Sequence, residues 1–303
     1  MQLFTLGAVD FTMAKLSLAS CDLSATLDKA TYSERLKKVQ KLLPRLELAY
    51  KFSNSRAVIG IEGWDAVGKG GVIRRLTAAL DPRGYMVWPI GPPTAEELGQ
   101  QYLQRFWRRL PQKGTWALFD RTWYGRVLVE RVEKLATTAE WRRAYDEINA
   151  FERMLTDDGV RMVKLFLHVS REEQLQRLLA RINDPEERWK MGIADVRNHD
   201  LRPEYEEAVD DMLARTSTSN APWRVIPFED KRYGRIAALE HVVDVLSRGM
   251  DLSAPPLATD VVPEVKRLKK EAAEIESRRE RKKDGLGKNG RKKNAARKRR
   301  GKK

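Results

Sequence analysis

Residues 56–76 read RAVIGIEGWDAVGKGGVIRRL. Arg56–Glu62 is a short β-branched run of the kind that forms a buried strand. Gly63–Gly71 fits G-x-x-x-x-G-K, and a helical pattern follows from Gly71 to Leu80, stopped by Asp81-Pro82-Arg83-Gly84. Strand, glycine-rich loop and helix together make a phosphate cradle. Glycines 63, 68, 70 and 71 let the backbone N–H groups, that of Ala66 among them, curl round a phosphate. The helix N-terminus adds partial positive charge, and Lys69 neutralises transferring oxygens. Such loops usually end Lys-Ser or Lys-Thr, whose hydroxyl ligates Mg²⁺. Here position 70 is Gly, and Asp65 inside the loop offers an oxygen instead. A carboxylate among phosphates needs a metal or a proton between them, so Asp65 is read as a metal-handling group.

Outward from this loop, strands and helices alternate. Further strands are expected at Met86–Ile90, Thr115–Phe119, Val160–Val169 and Trp223–Phe228. Helices are expected from Ser33, as N-cap, to an interruption near Pro44, and from Thr94 to about Leu110 with Glu97 completing a capping box. Others should follow the third strand to about Leu135 and span Glu140–Leu155, Arg171–Arg181 and Gly234–Arg248. Such alternation specifies a parallel sheet of about five strands in a three-layer α/β/α arrangement. Residues 182–220 are polar and charged, with a helix expected only over Asp200–Ala214, and read as a lid between the fourth and fifth strands. The expected organisation is an N-terminal arm (1–32), a phosphotransferase domain (33–250), and a linker with a basic tail (251–303).

The third strand ends Phe119-Asp120-Arg121. An Asp at the C-terminal end of a buried strand occupies the position that holds Mg²⁺ directly or through water. Arg121 sits at the mouth of the same crevice, where parallel sheets bind ligands. Between Gln104 and Arg131 there are seven bases and two acids, and Arg predominates, which suits bidentate phosphate contacts. Arg126 belongs to this group. In the lid, Arg181 and Lys190 are candidates to bring a cation onto a transferring group. The three histidines, His168, His199 and His241, are not at metal-ligand spacing, and His168 reads as a core residue. A phosphate-oxygen acceptor is already ionised at pH 7, so positioning, cations and Mg²⁺ (or Mn²⁺) suffice without a general base.

Composition narrows the partners. The 303 residues carry a net charge of +15, with 42% hydrophobic residues and one cysteine. No intrachain disulfide or cysteine-based zinc site can form, and no apolar run is long enough to span a membrane. No secretory leader is read at the N-terminus, and a cytoplasmic location is expected. Residues 277–303 hold 15 Lys+Arg and two acids, so +13 of the +15 belongs to this tail and only +2 to the rest. The tail has four Gly and no aromatic residue, which predicts disorder beyond a helical start over Val265–Lys283 and suits contact with a polyanion or RNA.

Taken together, GWDAVGKGGVIRRL (63–76), LDPRGY (80–85), FDRTWYGRVLVERVE (119–133), DPEERWK (184–190) and TSTSNAPW (216–223) resemble the polyphosphate kinase 2 family from about Ser33 to Arg248. The resemblance implies a P-loop kinase fold like that of thymidylate kinases, with a helical lid. It implies Mg²⁺-dependent phosphoryl transfer between inorganic polyphosphate and a nucleotide. Asp65 and Asp120 match the essential acids, and Lys69, Arg121, Arg181 and Lys190 the cations that hold the substrates. Gly125, five residues after Asp120, looks most like members that phosphorylate nucleoside monophosphates; diphosphate users tend to carry Asn there and dual-function members Glu. AMP to ADP is therefore the expected step. AMP-specific members often contain two fused domains and this chain has one, which keeps ADP to ATP open. A homo-oligomer is expected. The competing readings are an ATP-dependent thymidylate-type kinase, against which Gly70 speaks, and a degenerate P-loop domain that binds nucleic acid through the tail.

Overall fold

Strand β1 (Arg56–Gly63) lies at the centre of a five-stranded parallel sheet with β2 (Tyr85–Pro89), β3 (Trp116–Asp120), β4 (Val160–His168) and β5 (Trp223–Pro227). The strand order is β2-β3-β1-β4-β5. This computed structural model describes residues 16–280. The chain divides into two units, Met1–Ser253 and Ala254–Lys303, and within the second, residues 262–280 are helical. The remainder of the expected tail and residues 1–15 of the expected arm lie outside the described residues.

The helices are α1 (Lys29–Ser53), α2 (Lys69–Thr77), α3 (Ala95–Leu98), α4 (Gln104–Trp107), α5 (Val129–Val132), α6 (Thr138–Asp157), α7 (Arg171–Asn183), α8 (Ile193–Asp200), α9 (Arg202–Thr216) and α10 (Lys231–Ser247). They cover both faces of the sheet. On β4, Arg161 reaches the carbonyl of Leu246 at the end of α10, whereas Lys164, three residues on and therefore of opposite parity, bonds Glu152 of α6. One layer accordingly holds α1, α2 and α10, and the other holds α6 and α9. β1 is buried from Ala57 to Glu62, the continuous run of a doubly covered strand.

Several boundaries differ from the sequence-based expectation. α1 begins at Lys29, because Asp28 rather than Ser33 is the N-cap: its Oδ1 accepts from the N–H groups of Ala30 and Thr31 at 2.9 and 3.0 Å. Ser33 lies within the helix and donates to Lys29 O at 2.8 Å. Pro44 does not interrupt α1, which runs on to Ser53. Leu43, Leu46 and Tyr50 are fully buried, and α1 packs along α10, so tertiary contact offsets the lost hydrogen bond. Thr94 and Glu97 do form the capping box, but the expected single helix is two short ones, α3 and α4, joined by turns over residues 99–103. Beyond β3, a 3-10 turn (Trp123–Arg126) and the one-turn α5 replace the continuous helix. In the lid, α8 adds a helix ahead of α9, closed at its start by Asp195 accepting from the Gly192 N–H at 2.8 Å.

Candidate active site

The loop between β1 and α2 is shaped by residues that tolerate a left-handed backbone. Gly63 has φ +143°, and a Cβ there would stand 2.5 Å from the Leu167 carbonyl oxygen, so only glycine fits between β1 and β4. Gly68, the N-cap of α2, has φ +118°. Ala66 adopts φ +62° and Arg121 φ +66°, conformations disfavoured for side-chain-bearing residues. Strain of this kind gathers at ligand-binding sites, where surrounding structure holds it. Lys69 Nζ folds back over the loop and donates to the carbonyls of Gly63 and Trp64 at 2.8 and 3.2 Å.

Asp65 is the hub. Its side chain is 12% exposed, and both carboxylate oxygens are engaged: Arg121 Nη2 donates to Oδ1 and Asn198 Nδ2 to Oδ2, each at 2.7 Å. Burial by itself would raise the Asp65 pKa. The charges of Lys69 and Arg121, with hydrogen bonds from Asn198 and Arg121, outweigh it and hold the carboxyl below its ordinary range. Arg121 is pushed the other way by Asp65, Glu62 and Asp120, against the effect of its own burial. Asp120 ends β3 beside Ile61 of β1, half-buried, and its carbonyl accepts from the Ile90 N–H at 2.9 Å.

Three polar residues complete this centre without having been read from the sequence. Glu62, buried at the end of β1, accepts from the Thr122 N–H at 2.6 Å and from Thr122 Oγ1 at 2.7 Å, so it clamps β1 to the turn after Arg121. Burial raises its pKa. Asn198 brings α8 of the lid onto Asp65, and Tyr205 Oη donates to Asn198 Oδ1 at 3.2 Å. Arg177 of α7 donates to the carbonyls of Val67 and Phe228, both at 2.7 Å, and holds the loop from outside. An unpaired Glu ending an apolar strand was a usable signal for Glu62; nothing local marks Asn198.

Of the residues expected at the site, the fold gathers Asp65, Lys69, Asp120 and Arg121 around Gly63, Ala66, Gly68, Gly70 and Gly71. Three others have partners of their own. Arg126 pairs with Glu130 at 3.1 Å and lies 4.5 Å above the Tyr102 ring. Arg181 pairs with Asp195 at 3.4 Å, and Lys190 with Glu187 at 2.6 Å. His168 is the core residue expected: it is buried and accepts from Trp64 Nε1 at 2.9 Å.

The donor set suits a hard divalent cation. Hard oxygens are offered by Asp65 and Asp120, and Mg²⁺ is commonly held by one or two carboxylates together with phosphate oxygens and water. No group of three or more His, Cys, Asp or Glu forms a metal cage among the described residues. No helix of the described residues is long and apolar enough to cross a membrane.

Known proteins place this geometry in context. The polyphosphate kinase 2 family profile matches residues 26–251. A polyphosphate:AMP phosphotransferase of Pseudomonas aeruginosa is 45% identical over 229 residues, which is 76% of this chain and 46% of that protein. The chain thus spans about half the length of this relative. An AMP/ADP-polyphosphate phosphotransferase of Meiothermus ruber is 37% identical over 75% of this chain and 82% of its own length. The crystal structure of polyphosphate kinase 2 from Arthrobacter aurescens superposes with TM-score 0.77 at 31% identity, covering 82% of this chain and 92% of that one. With its P-loop, its strand-end Asp-Arg pair and its match from residue 26 to 251, the chain belongs to the polyphosphate kinase 2 family.

Proposed function

We propose that the chain is a metal-dependent phosphotransferase that moves the terminal phosphoryl group of inorganic polyphosphate onto AMP, giving ADP. The observation that carries this is the Asp65–Arg121 pair at the mouth of the P-loop, closed over by Asn198 from the lid. Its support from likeness is the Pseudomonas aeruginosa polyphosphate:AMP phosphotransferase at 45% identity.

An oxygen of the AMP phosphate attacks the terminal phosphorus, the P–O–P bond to the next phosphate breaks, and the shortened chain leaves as the anion. The nucleophile is already ionised, so no side chain need remove a proton. Lys69 and the loop N–H groups hold the transferring oxygens, and Arg121, poised between Asp65 and Asp120, supplies charge as the phosphoryl group develops its planar form. Asp65 and Asp120 would hold Mg²⁺ (or Mn²⁺), which neutralises phosphate charge when bound. Arg181 and Lys190, now paired within the lid, are the cations available to move inward as it closes.

Protein mixed with Mg²⁺, polyphosphate and AMP should form ADP without added ATP, followed by chromatography. Absence of ADP would overturn the proposal. Asp65→Ala, Asp120→Ala and Lys69→Ala should each reduce turnover by about 10³-fold or more while the far-ultraviolet circular dichroism stays that of the parent. A second reading, ADP to ATP, is favoured by the Meiothermus ruber AMP/ADP-polyphosphate phosphotransferase, 82% of whose length this chain covers. Initial rates with AMP and with ADP separate the two.

A further inference from the structure

The lid reaches Asp65 from two sides. Asn198, in the last turn of α8, meets its carboxylate, and Arg202, the first residue of α9, reaches its backbone through two intermediaries. The first is Trp64, the residue before Asp65: the Arg202 guanidinium carbon lies 3.5 Å from the centre of its ring. The second is Gln174 of α7. Arg202 Nη1 donates to Gln174 Oε1 at 2.7 Å, and Gln174 Nε2 donates in turn to the Asp65 carbonyl at 3.3 Å. Arg202 Nη2 donates to the carbonyl of Val169, just past β4, at 2.7 Å. Trp64 is also held from its other sides. Its Nε1 donates to His168 Nδ1 at 2.9 Å, Phe166 packs edge-on with ring centres 5.5 Å apart, and its carbonyl accepts from Lys69 Nζ at 3.2 Å.

Burying Arg202 is unfavourable in itself. Its side chain is fully buried, while its carboxylate partner Glu206, at 2.8 Å, is exposed to solvent. Desolvation lowers the Arg202 pKa, and Glu206 opposes that shift. An apolar side chain of similar volume usually serves a core at least as well as a buried cation. A guanidinium can do two things that such a chain cannot: stack flat on an indole face and fork its donors in fixed directions. Arg202 does both, and both lead to the Trp64–Asp65 peptide.

We propose that Arg202 is a positioning residue: by stacking on Trp64 and orienting Gln174 it fixes the Trp64–Asp65 peptide, and so aims the Asp65 carboxylate at Arg121 and the phosphate-binding loop. Arg202 itself touches no reacting atom. A single residue, Leu201, joins α8 to α9, so Arg202 also roots the lid on the loop while Asn198 works on the other side of Asp65. The effect on turnover rests on the proposed phosphoryl transfer; the effect on the loop does not.

The test compares the full chain as parent, Arg202→Met and Gln174→Met. Hydrogen exchange by mass spectrometry follows the amides of residues 63–68, denaturant unfolding gives the midpoint, and initial rates are taken over ranges of AMP and polyphosphate. Arg202→Met should keep the parent's unfolding midpoint or exceed it, because a buried charge is removed. Its loop amides should nevertheless exchange about tenfold faster, since a desolvated cation–π contact is lost. Its kcat should fall about 100-fold with KM for AMP kept, the pattern of a displaced catalytic group. Gln174→Met leaves the stack on Trp64 in place and should show a smaller loss of the same kind; it carries the comparison by itself if Arg202→Met does not fold. Loop exchange equal to the parent's, or a loss of kcat that only follows a lowered midpoint, overturns the proposal. If the parent forms no ADP from polyphosphate and AMP, the functional proposal fails, and loop exchange then decides for Arg202: faster exchange confined to residues 63–68 upholds its role, and unchanged exchange overturns it.

Discussion

Asp65 shows what a single residue does here. Its position within the loop reads from the sequence, yet its partners do not: Arg121 lies 56 residues away and Asn198 133. A hydrogen bond to a charged group contributes about 1.5–3 kcal/mol, so Asn198→Ala should lower kcat/KM by about 10–100-fold. Removing that donor also lets the Asp65 pKa rise, so the acid limb of the kcat/KM profile should move to higher pH. An acid limb that stayed in place would assign Asn198 a purely structural part in the lid. The same holds for Arg121, whose left-handed backbone is invisible in the sequence because it arises from β3 turning under the Glu62–Thr122 clamp.

At the scale of elements, a buried network joins the site to its supports. Lys164 of β4 donates to Glu152 of α6 at 2.7 Å, to Tyr124 Oη in the turn after Arg121 at 2.8 Å, and to the Thr216 carbonyl at the end of α9 at 2.8 Å. Trp123 Nε1 and Tyr124 Oη both donate to Glu152 Oε1. Burial pushes Glu152 up and Lys164 down, and each charge counters the other's shift. Removing one partner leaves the other buried and unpaired, so Glu152→Gln should destabilise by about 3–5 kcal/mol in denaturant unfolding. Glu152→Gln with Lys164→Met should recover part of this. A neutral Glu152→Gln variant would show that the pair is dispensable. The elements themselves were mostly legible, because strands and long helices repeat their apolar residues at regular spacing. The breaks were not: Pro44 stays inside α1 and the chain after Thr94 splits in two, since packing against neighbours overrides local propensity.

Across the whole molecule, two histidines couple stability to pH. Burial, and then the charge of Arg202, bring His168 down to about 4; burial, and then Arg224, bring His241 down to about 4. Both are neutral in the fold. The stability they carry is present above pH 6.5, where histidines of the unfolded chain are neutral too, and is lost as pH falls through 6.5 towards about 4. The loss is on the order of 3 kcal/mol for each at the acid end. Thermal midpoints should therefore fall between pH 7 and 5, and His241→Gln should flatten the decline. Identical slopes for parent and variant would exclude His241 from this effect.

The sequence by itself determined the parallel α/β class, the P-loop and its Lys69, the strand-end Asp120–Arg121 and the concentration of charge in residues 277–303. These are local statements: spacing of apolar residues, a run of glycines and a count of charges carry them within a few turns of chain. Only the tertiary structure decided that Asn198 closes on Asp65, that Glu62 clamps β1 to β3's turn, that Arg126 pairs with Glu130, and that Arg202 stacks on Trp64. Those contacts depend on which strands neighbour β1 and on where long-range packing sets each helix, and no local spacing encodes either.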